Sequence, residues 1–337
     1  MSLHMAARHG IGGRWLRPTL GLGTMLVVAL LLSLSVGVHS HGPAEVWHAL
    51  TAFDGSQDHR VVRELRLPRA VLASVAGSSL GVAGVLIQTL TRNRIASPDI
   101  LGLNAGAALA VVVANVWLGV DGLTALSAAA AGGALMAALA VYGVAVSGGA
   151  MSPARTVLAG MTFAGLLMSL VEVVLTTDEA SLEQLLFWLA GSFEGRPLQL
   201  AAANGWILGL GLLAALAVAR PLDTLATDDD TARNLGVPLH RVRSLAFLAT
   251  AALTGGAVAI AGPVGFIGLV APHAARWLAG PHHRDRIIVA AVAGALLGVG
   301  ADVAARFVIH PGEAPVGAVT ALIGAPVLVL LLRRRLA

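Results

Sequence analysis

Apolar runs of roughly 20 residues alternate with short polar connectors along the chain, and this pattern predicts an all-α, polytopic membrane protein. We predict about ten transmembrane helices with both termini in the cytoplasm, forming one domain over residues 1–337. The predicted spans lie at about 18–38, 70–91, 99–118, 122–146, 155–175, 198–219, 244–262, 264–279, 287–308 and 315–332. Small-residue patterns predict helices that pack backbone to backbone, as at Gly77, Gly81 and Gly84, and at Gly294 and Gly298.

Three polar segments interrupt the apolar pattern. Residues 1–17 form a basic cytoplasmic leader, 39–69 a periplasmic connector and 221–243 a cytoplasmic loop. A cleaved signal peptide is the alternative for the first apolar run, but its apolar region would have only about 7–15 residues before a small-residue cleavage site. The run over 18–38 is longer and ends in Gly-Val-His, so we interpret it as the first span.

The loop over 221–243 contains the pattern of a short helix with both ends marked. Thr227 suits the N-cap, and the three aspartates after it occupy the first turn, where the helix dipole favours negative charge. Gly236 suits the left-handed residue beyond the last turn, and Pro238 prevents the helix from continuing. A rigid, charged helix at this place predicts a docking partner, and a solvated connector is the alternative.

Composition excludes several classes of function. Hydrophobic residues make up 57% of the 337, mean hydropathy is +0.82, and charged residues are 12%, against about 25% in soluble domains. Cysteine and lysine are absent from the sequence, which excludes disulfides, thiolate metal sites and the P-loop lysine. The absence of lysine leads us to expect that any ATP hydrolysis belongs to another chain. The outer histidines are scattered, which is the default for surface residues, and we expect no metal or cofactor. No basic and aromatic stripe occurs, so we expect no nucleic-acid partner.

The placement of arginine predicts the orientation. With the N-terminus inside, the inner loops hold 16 of the 22 basic residues, as the positive-inside rule requires. Four of the remaining arginines crowd into residues 60–69 on the outer side, where that rule disfavours them. We interpret this crowding as a docking surface for an acidic partner. Because Pro68 biases Leu67 towards an extended backbone, we expect Arg66 and Arg69 to project towards the periplasm.

A series of motifs covers about four-fifths of the chain, from Leu65 onward. The motifs are Arg66–Arg69 (RLPR), Gly77 and Gly84 with Gln88, Arg92-Asn93, Ala96–Gly102, Trp188–Ser192 (WLAGS), Ala232–Val237 (ARNLGV), Gly262–Arg276, Ala301-Asp302 with Arg306, and Glu313–Pro326. In this order they resemble the FecCD family, the permease subunits of ABC importers for iron-siderophores, haem and cobalamin. The resemblance implies a second permease subunit, identical or a close paralogue, two ATPase subunits, a periplasmic substrate-binding protein and contact with membrane lipid.

The resemblance also implies roles for individual residues. The outer arginines that meet acidic residues of the binding protein correspond to Arg66, Arg69 and Arg306. For Arg306 the alternative is an internal pair with Asp302, four residues earlier on the same helix. The polar loop resembles the coupling helix that docks on the ATPase, and its candidate residues are Thr227, Asp228, Asp229, Asp230, Arg233, Leu235 and Gly236.

The cytoplasmic gate and the transport path have candidates as well. The gate loop of the family usually reads Arg-Asn-Pro-Leu-Ala, and here the matching residues read Arg-Asn-Arg-Ile-Ala. Asn93 and Ile95 are therefore the gate candidates, without the constraint that the proline would add. Gln88 and Glu172 are candidates for lining the path.

The predicted function is import of a ferric siderophore complex from periplasm to cytoplasm. The segment Ala-Ser-Pro-Asp-Ile-Leu-Gly resembles siderophore permeases more than the haem or cobalamin permeases, which remain the alternative. An ion-coupled secondary transporter would need an acidic relay near mid-membrane, and the predicted spans offer only Glu172 and Asp302. An enzyme is disfavoured, because the sequence shows no nucleophile–base pattern.

Overall fold

The computed structural model describes residues 16–37, 40–148, 151–176, 185–186, 188–225, 229–309 and 312–336, with side chains up to residue 329. The regular structure in these residues is helical: α1 (Leu16–Ser35), α2 (Pro43–Thr51), α3 (Gln57–Arg60), α4 (Leu67–Leu90), α5 (Leu103–Val116), α6 (Leu123–Val146), α7 (Pro153–Leu175), α8 (Gln199–Leu225), α9 (Asp229–Asn234), α10 (Leu239–Ala261), α11 (Ile267–Ala279), α12 (His283–Val308) and α13 (Val316–Leu336). A π-helical turn over Val61–Arg66 leads into α4, and a 3₁₀ turn over Pro98–Leu101 leads into α5.

Length and apolar composition identify the helices that can cross a membrane. Seven described segments are long and apolar enough: α1, the continuous helix over Gln57–Leu90, α6, α7, α8, α10 and α12. The helix α5 and part of α13 are shorter apolar helices. The predicted eighth span, at about 264–279, corresponds to the 13 residues of α11. The all-α membrane fold is therefore confirmed, and the count of ten spans stays a prediction.

The helix α4 lies at the centre of the bundle and packs against α10, α11 and α12. A Cβ atom added at Gly77 would overlap the backbone of Gly294, and one added at Gly84 would overlap the backbone of Gly268. Helices in lipid gain little from the hydrophobic effect, so close backbone approach through small residues is what holds them together. The predicted small-residue packing is confirmed at the contact between α4 and α12.

Contacts between distant segments define the two ends of the bundle. At one end, Arg66 and Arg306 donate hydrogen bonds to carbonyls near the end of α1. At the other, Asp223 near the end of α8 accepts from His283 at the start of α12. The arginine count identifies the second end as cytoplasmic. By this geometry α1 begins, and α13 ends, at the cytoplasmic end.

The predicted connector over 39–69 is only partly correct. Its first half contains α2, but from Gln57 onward the chain is already helical and continues without a break into α4. Leu67 has φ and ψ of −61° and −49°, which is helical, and the prediction of an extended backbone there is wrong. Pro68 lies at the junction between the π-helical turn and α4, where the hydrogen-bonding pattern changes and one missing N–H donor disturbs the helix less.

The polar loop over 221–243 is also shorter than predicted. The helix α8 continues through Pro221 to Leu225, and α10 begins at Leu239. A proline inside a helix removes one hydrogen bond, and here the packing of α8 against α10 compensates for that loss. Between the two long helices, the described residues form the short helix α9 and the turn that follows it.

Candidate functional site

On the outer side, Asp302 joins two arginines within the helix packing. Asp302 is fully buried, and Arg69 donates from Nε and Nη2 to its Oδ1 at 3.0 and 2.9 Å. Arg306 donates from Nη2 to the other oxygen, Oδ2, at 2.5 Å, and Arg69 also pairs with Glu313 at 2.6 Å. The alternative predicted for Arg306, an internal pair with Asp302, is confirmed. We call these four residues, together with Arg66, the outer cluster.

Two arginines of the outer cluster hold the end of α1. Arg66 Nη1 donates to two carbonyls at 2.9 Å, and Arg306 Nη1 donates to two more at 2.7 and 2.9 Å, all within residues 33–36. The last carbonyls of a helix have no donor within the helix, and cations also complement the dipole there. The two guanidinium groups therefore fix α1 to the rest of the bundle.

These contacts correct the predicted orientation of the outer arginines. Arg66, Arg69 and Arg306 are 6%, 8% and 8% exposed, so Arg66 and Arg69 turn into the helix packing instead of projecting towards the periplasm, and their docking role stays a prediction. The carbonyls at the end of α1 and the carboxylates of Asp302 and Glu313 attract the guanidinium groups inward. The three arginines instead line a cleft of about 500 Å³, which Glu313 also borders.

One group of described residues has the composition of a metal site. His41, Glu45 and Asp58 bring ligand atoms within 4.8 Å of one another on the outer side. His41 Nδ1 already pairs with Glu45 at 3.3 Å, and Arg66 lines the same cleft as His41 and Asp58. Because the guanidinium group repels a cation at short range, we assign no metal to this group.

At the cytoplasmic end, α9 is a short helix that is followed in the sequence by an exposed apolar residue. Gly236 has a φ of +76°, the left-handed conformation predicted for it, and Leu235 beside it is 68% exposed. Arg233 pairs with Asp230 at 3.0 Å on the exposed face of the helix. Two other predicted coupling residues lie outside the described ranges, namely Thr227 and Asp228.

Asp229 connects α9 to two other segments. Arg243 Nη2 donates to both of its oxygens, at 2.7 and 2.8 Å, and Arg92 Nη2 donates to Oδ1 at 2.5 Å. Partial burial would raise the pKa of Asp229, but hydrogen bonding to Arg243 and the charges of Arg243 and Arg92 hold that pKa below its usual range. Asp229 is therefore ionised at neutral pH. We call Arg92, Asp229 and Arg243 the inner cluster.

The predicted gate residues lie in the loop directly after Arg92. Asn93 and Ile95 are both exposed, and Asn93 Oδ1 accepts a hydrogen bond from the Ile95 N–H at 3.1 Å. This contact closes a tight local turn, which replaces the stiffness that the usual proline would provide. The structure thus brings the predicted gate loop and the predicted coupling helix into direct contact through Arg92 and Asp229.

The two predicted path residues differ in their surroundings. Gln88 is 4% exposed and its Nε2 lies 3.4 Å from the Leu269 carbonyl, so it is buried between α4 and α11 and does not face a path in this conformation. The small residues of α4 let α11 approach closely enough to cover the amide in this conformation, and the path-lining role of Gln88 stays a prediction. Glu172 is exposed on α7 and stays a prediction.

The residues that sequence reasoning missed are those whose partners lie far along the chain. Arg243, which is 5% exposed, was counted only as a positive charge, and Glu313 only as part of a motif. Asp223 and His283 were also missed. The His283 N–H donates to Asp223 at 2.7 Å, and its ring lies 3.0 Å from Thr89 Oγ1. The sequence signal for Arg243 is its position at the boundary between a polar loop and an apolar run.

Comparison with known proteins gives consistent results. The model of the FecCD transport family matches residues 25–334. The ferric enterobactin transport system permease protein FepD of Escherichia coli is 40% identical over 316 residues, covering 94% of each chain. The Fe(3+)-citrate import system permease protein YfmD of Bacillus subtilis is 38% identical over 323 residues, covering 92% of this chain and 94% of YfmD.

The fold is similar to that of a solved transporter. A structure described as an inward-facing conformation of a metal-chelate type ABC transporter superposes with a TM-score of 0.84 at 27% identity. The alignment covers 94% of this chain and 99% of that one. The family match over residues 25–334 includes the outer cluster, the gate loop and α9.

Proposed function

Because the chain belongs to the FecCD transport family, we propose that it carries a ferric siderophore complex across the inner membrane as the permease subunit of an ABC importer. The observation that carries the substrate class is the similarity, over more than nine-tenths of both chains, to permeases for ferric enterobactin and ferric citrate. The protein is a multi-pass inner-membrane permease, and its family works with ATPase and substrate-binding partners.

The full assembly contains a second permease subunit, two ATPase subunits and one periplasmic binding protein. Large apolar side chains exposed on α7 and α13 support a permease partner or lipid on these faces, for example Leu158 and Met161 on α7 and Leu322 on α13. Apolar surface of this kind is stable only against lipid or another protein. ATP hydrolysis belongs to the separate ATPase subunits.

The helix α9 couples the permease to the ATPase. Its support is a rigid turn at Gly236, the exposed Leu235 beside it, and a position at the cytoplasmic end of the bundle. Replacing residues 228–235 by alanine is expected to abolish co-purification of the ATPase while the permease still inserts into the membrane. Intact assembly together with intact transport would contradict this role.

The outer cleft receives acidic side chains of the binding protein. Arg66, Arg69 and Arg306 line it, and a carboxylate that enters it would meet guanidinium groups with little water around them. Because the attraction is electrostatic, raised salt is expected to weaken the complex, and reversing the partner's acidic residues to arginine should weaken it further. Docking that is insensitive to both changes would contradict the role of the cleft.

Uptake measurements test the proposed substrate class. A strain that lacks its own ferric chelate permeases would receive the complete importer with this chain, and uptake of labelled ferric siderophores, ferric citrate, haem and cobalamin would be compared. We expect ATP-dependent uptake of a ferric siderophore. Uptake of haem or cobalamin without any ferric siderophore would contradict the proposal.

A further inference from the structure

Arg92 has a backbone conformation that long side chains rarely adopt. Its φ of +50° lies in the left-handed region, and the other non-glycine residue with positive φ in the described ranges is Phe266. That region disfavours residues with a side chain because Cβ crowds the neighbouring carbonyl. A residue persists there when its surroundings hold it in place, and such residues concentrate at switch regions. For Arg92 the strongest visible contact is the ion pair with Asp229 at 2.5 Å.

The two arginines that share Asp229 differ in how firmly they are fixed. Arg243 is 5% exposed and also donates to the Met151 carbonyl at 3.2 Å, so it anchors Asp229 to α10 and to the segment before α7. The side chain of Arg92 is 44% exposed and belongs to a loop without regular structure. A displacement of α9 would therefore move the loop at Arg92 more readily than the long helix at Arg243.

We propose that Arg92 is a positioning residue that passes the movement of α9 to the gate residues through its ion pair with Asp229. This inference rests on the proposed function, in which α9 couples to the ATPase and Asn93 and Ile95 form the gate. When the ATPase shifts α9, Asp229 carries the guanidinium group of Arg92 with it. Asn93 follows as the next residue, and its hydrogen bond to the Ile95 N–H extends the movement to Ile95.

The same loop offers a matched control. Arg94 has the same charge as Arg92 and is exposed, and in the part of the chain that the structure describes it has no hydrogen bond or ion pair. Replacing Arg94 by glutamine removes a positive charge from the loop without touching the contact to α9. A general effect of charge on the loop would appear in this variant as well as in Arg92→Gln.

The test uses the complete importer in lipid nanodiscs, with a spin label on Ile95→Cys in the otherwise cysteine-free permease. The mobility of the label is measured with and without ATP, and ATP hydrolysis and transport are measured in vesicles. With Arg92→Gln we expect the response of the label to ATP to disappear and transport per ATP to fall about fivefold, while ATP hydrolysis continues. Arg92→Lys should retain part of the response, and Arg94→Gln all of it.

Two further variants keep the test decisive. Arg92→Gly suits the left-handed backbone and is expected to lose the response like Arg92→Gln, so a folding defect of the glutamine variant would not hide the result. The double variant Arg92→Gln with Asp229→Asn should transport no less per ATP than Asp229→Asn alone, because both changes remove the same contact.

Two outcomes would overturn the inference, and they are distinguishable. If Arg92→Gln and Arg92→Gly respond to ATP like the parent, with the same transport per ATP, the link through Asp229 is wrong and the gate stands. If the label on Ile95→Cys shows no response to ATP even with Arg92 and Asp229 intact, the proposed gate itself is wrong, and the link falls with it.

Discussion

The outer and inner clusters are alike in composition and different in surroundings. In each, one aspartate joins two arginines from separate segments of the chain. The Asp302 side chain is fully buried, and the side chains of its two arginines are 9% and 4% exposed. The Asp229 side chain is 29% exposed, and that of Arg92 is 44% exposed.

The difference in burial indicates that the two clusters have different roles. Breaking a buried ionic network leaves charges without partners or water, so such a network holds segments permanently together. A half-exposed ion pair can shift together with the two segments that it joins without leaving a buried charge unpaired, so it can pass a movement from one segment to the other during a transport cycle. We therefore assign the outer cluster chiefly to the fold and the inner cluster to the transmission of movement.

The largest expected effect is that of Asp302→Asn. The change leaves Arg69 and Arg306 buried without their shared carboxylate, and we expect the free energy of unfolding to fall by about 3–5 kcal/mol. Denaturant-induced unfolding in detergent micelles measures the loss. Glu64→Gln, an exposed acid on the same side, should change the value by no more than about 0.5 kcal/mol. A loss for Asp302→Asn as small as that of the control would contradict the structural duty of the outer cluster.

A smaller effect is expected for Arg66→Gln. The variant removes the donors to the carbonyls of Leu34 and Ser35, and we expect a loss of about 1–3 kcal/mol. The end of α1 should also loosen. A cysteine introduced by Ser35→Cys would report this as faster labelling by a water-soluble maleimide. Equal labelling rates with arginine and with glutamine at position 66 would show that Arg66 does not hold α1.

The smallest expected effect is that of pH on the inner cluster. The folded pKa of Asp229 lies below the ordinary value of 3.8, so its contribution is present above that value and is lost as pH falls through the folded pKa. Transport per ATP should therefore not vary through titration of Asp229 between about pH 8 and about pH 5. A decline over this range that Asp229→Asn abolishes would show that the carboxylate titrates far higher than its contacts allow.

Sequence reasoning predicted the contacts that are local and missed those that are distant. The pair of Asp302 and Arg306 was foreseen because residues four apart face each other on one helix. The partners Arg69 and Asp302 are 233 positions apart, and Arg92 and Asp229 are 137 apart. Only the packing of the helices brings these pairs together, so no local pattern could predict them.

Two local predictions that involve proline are wrong. The predicted extended backbone before Pro68 and the predicted start of the polar loop at residue 221 are wrong, because both prolines lie inside helices. Proline is tolerated at the junction of the π-helical turn and α4, as at Pro68, and tertiary packing overrides its cost inside α8, as at Pro221. The left-handed Gly236 was predictable because its requirement is local to the turn.

The most direct test compares Asp302→Asn and Arg92→Gln in the same reconstituted importer, measuring both the unfolding midpoint and the transport per ATP. We predict a crossed result. Asp302→Asn should lower the midpoint strongly and leave transport per ATP near the parent value in the molecules that remain folded. Arg92→Gln should leave the midpoint nearly unchanged and lower transport per ATP about fivefold. If both variants lower the unfolding midpoint and the transport per ATP to the same degree, the division of roles between the two clusters is wrong.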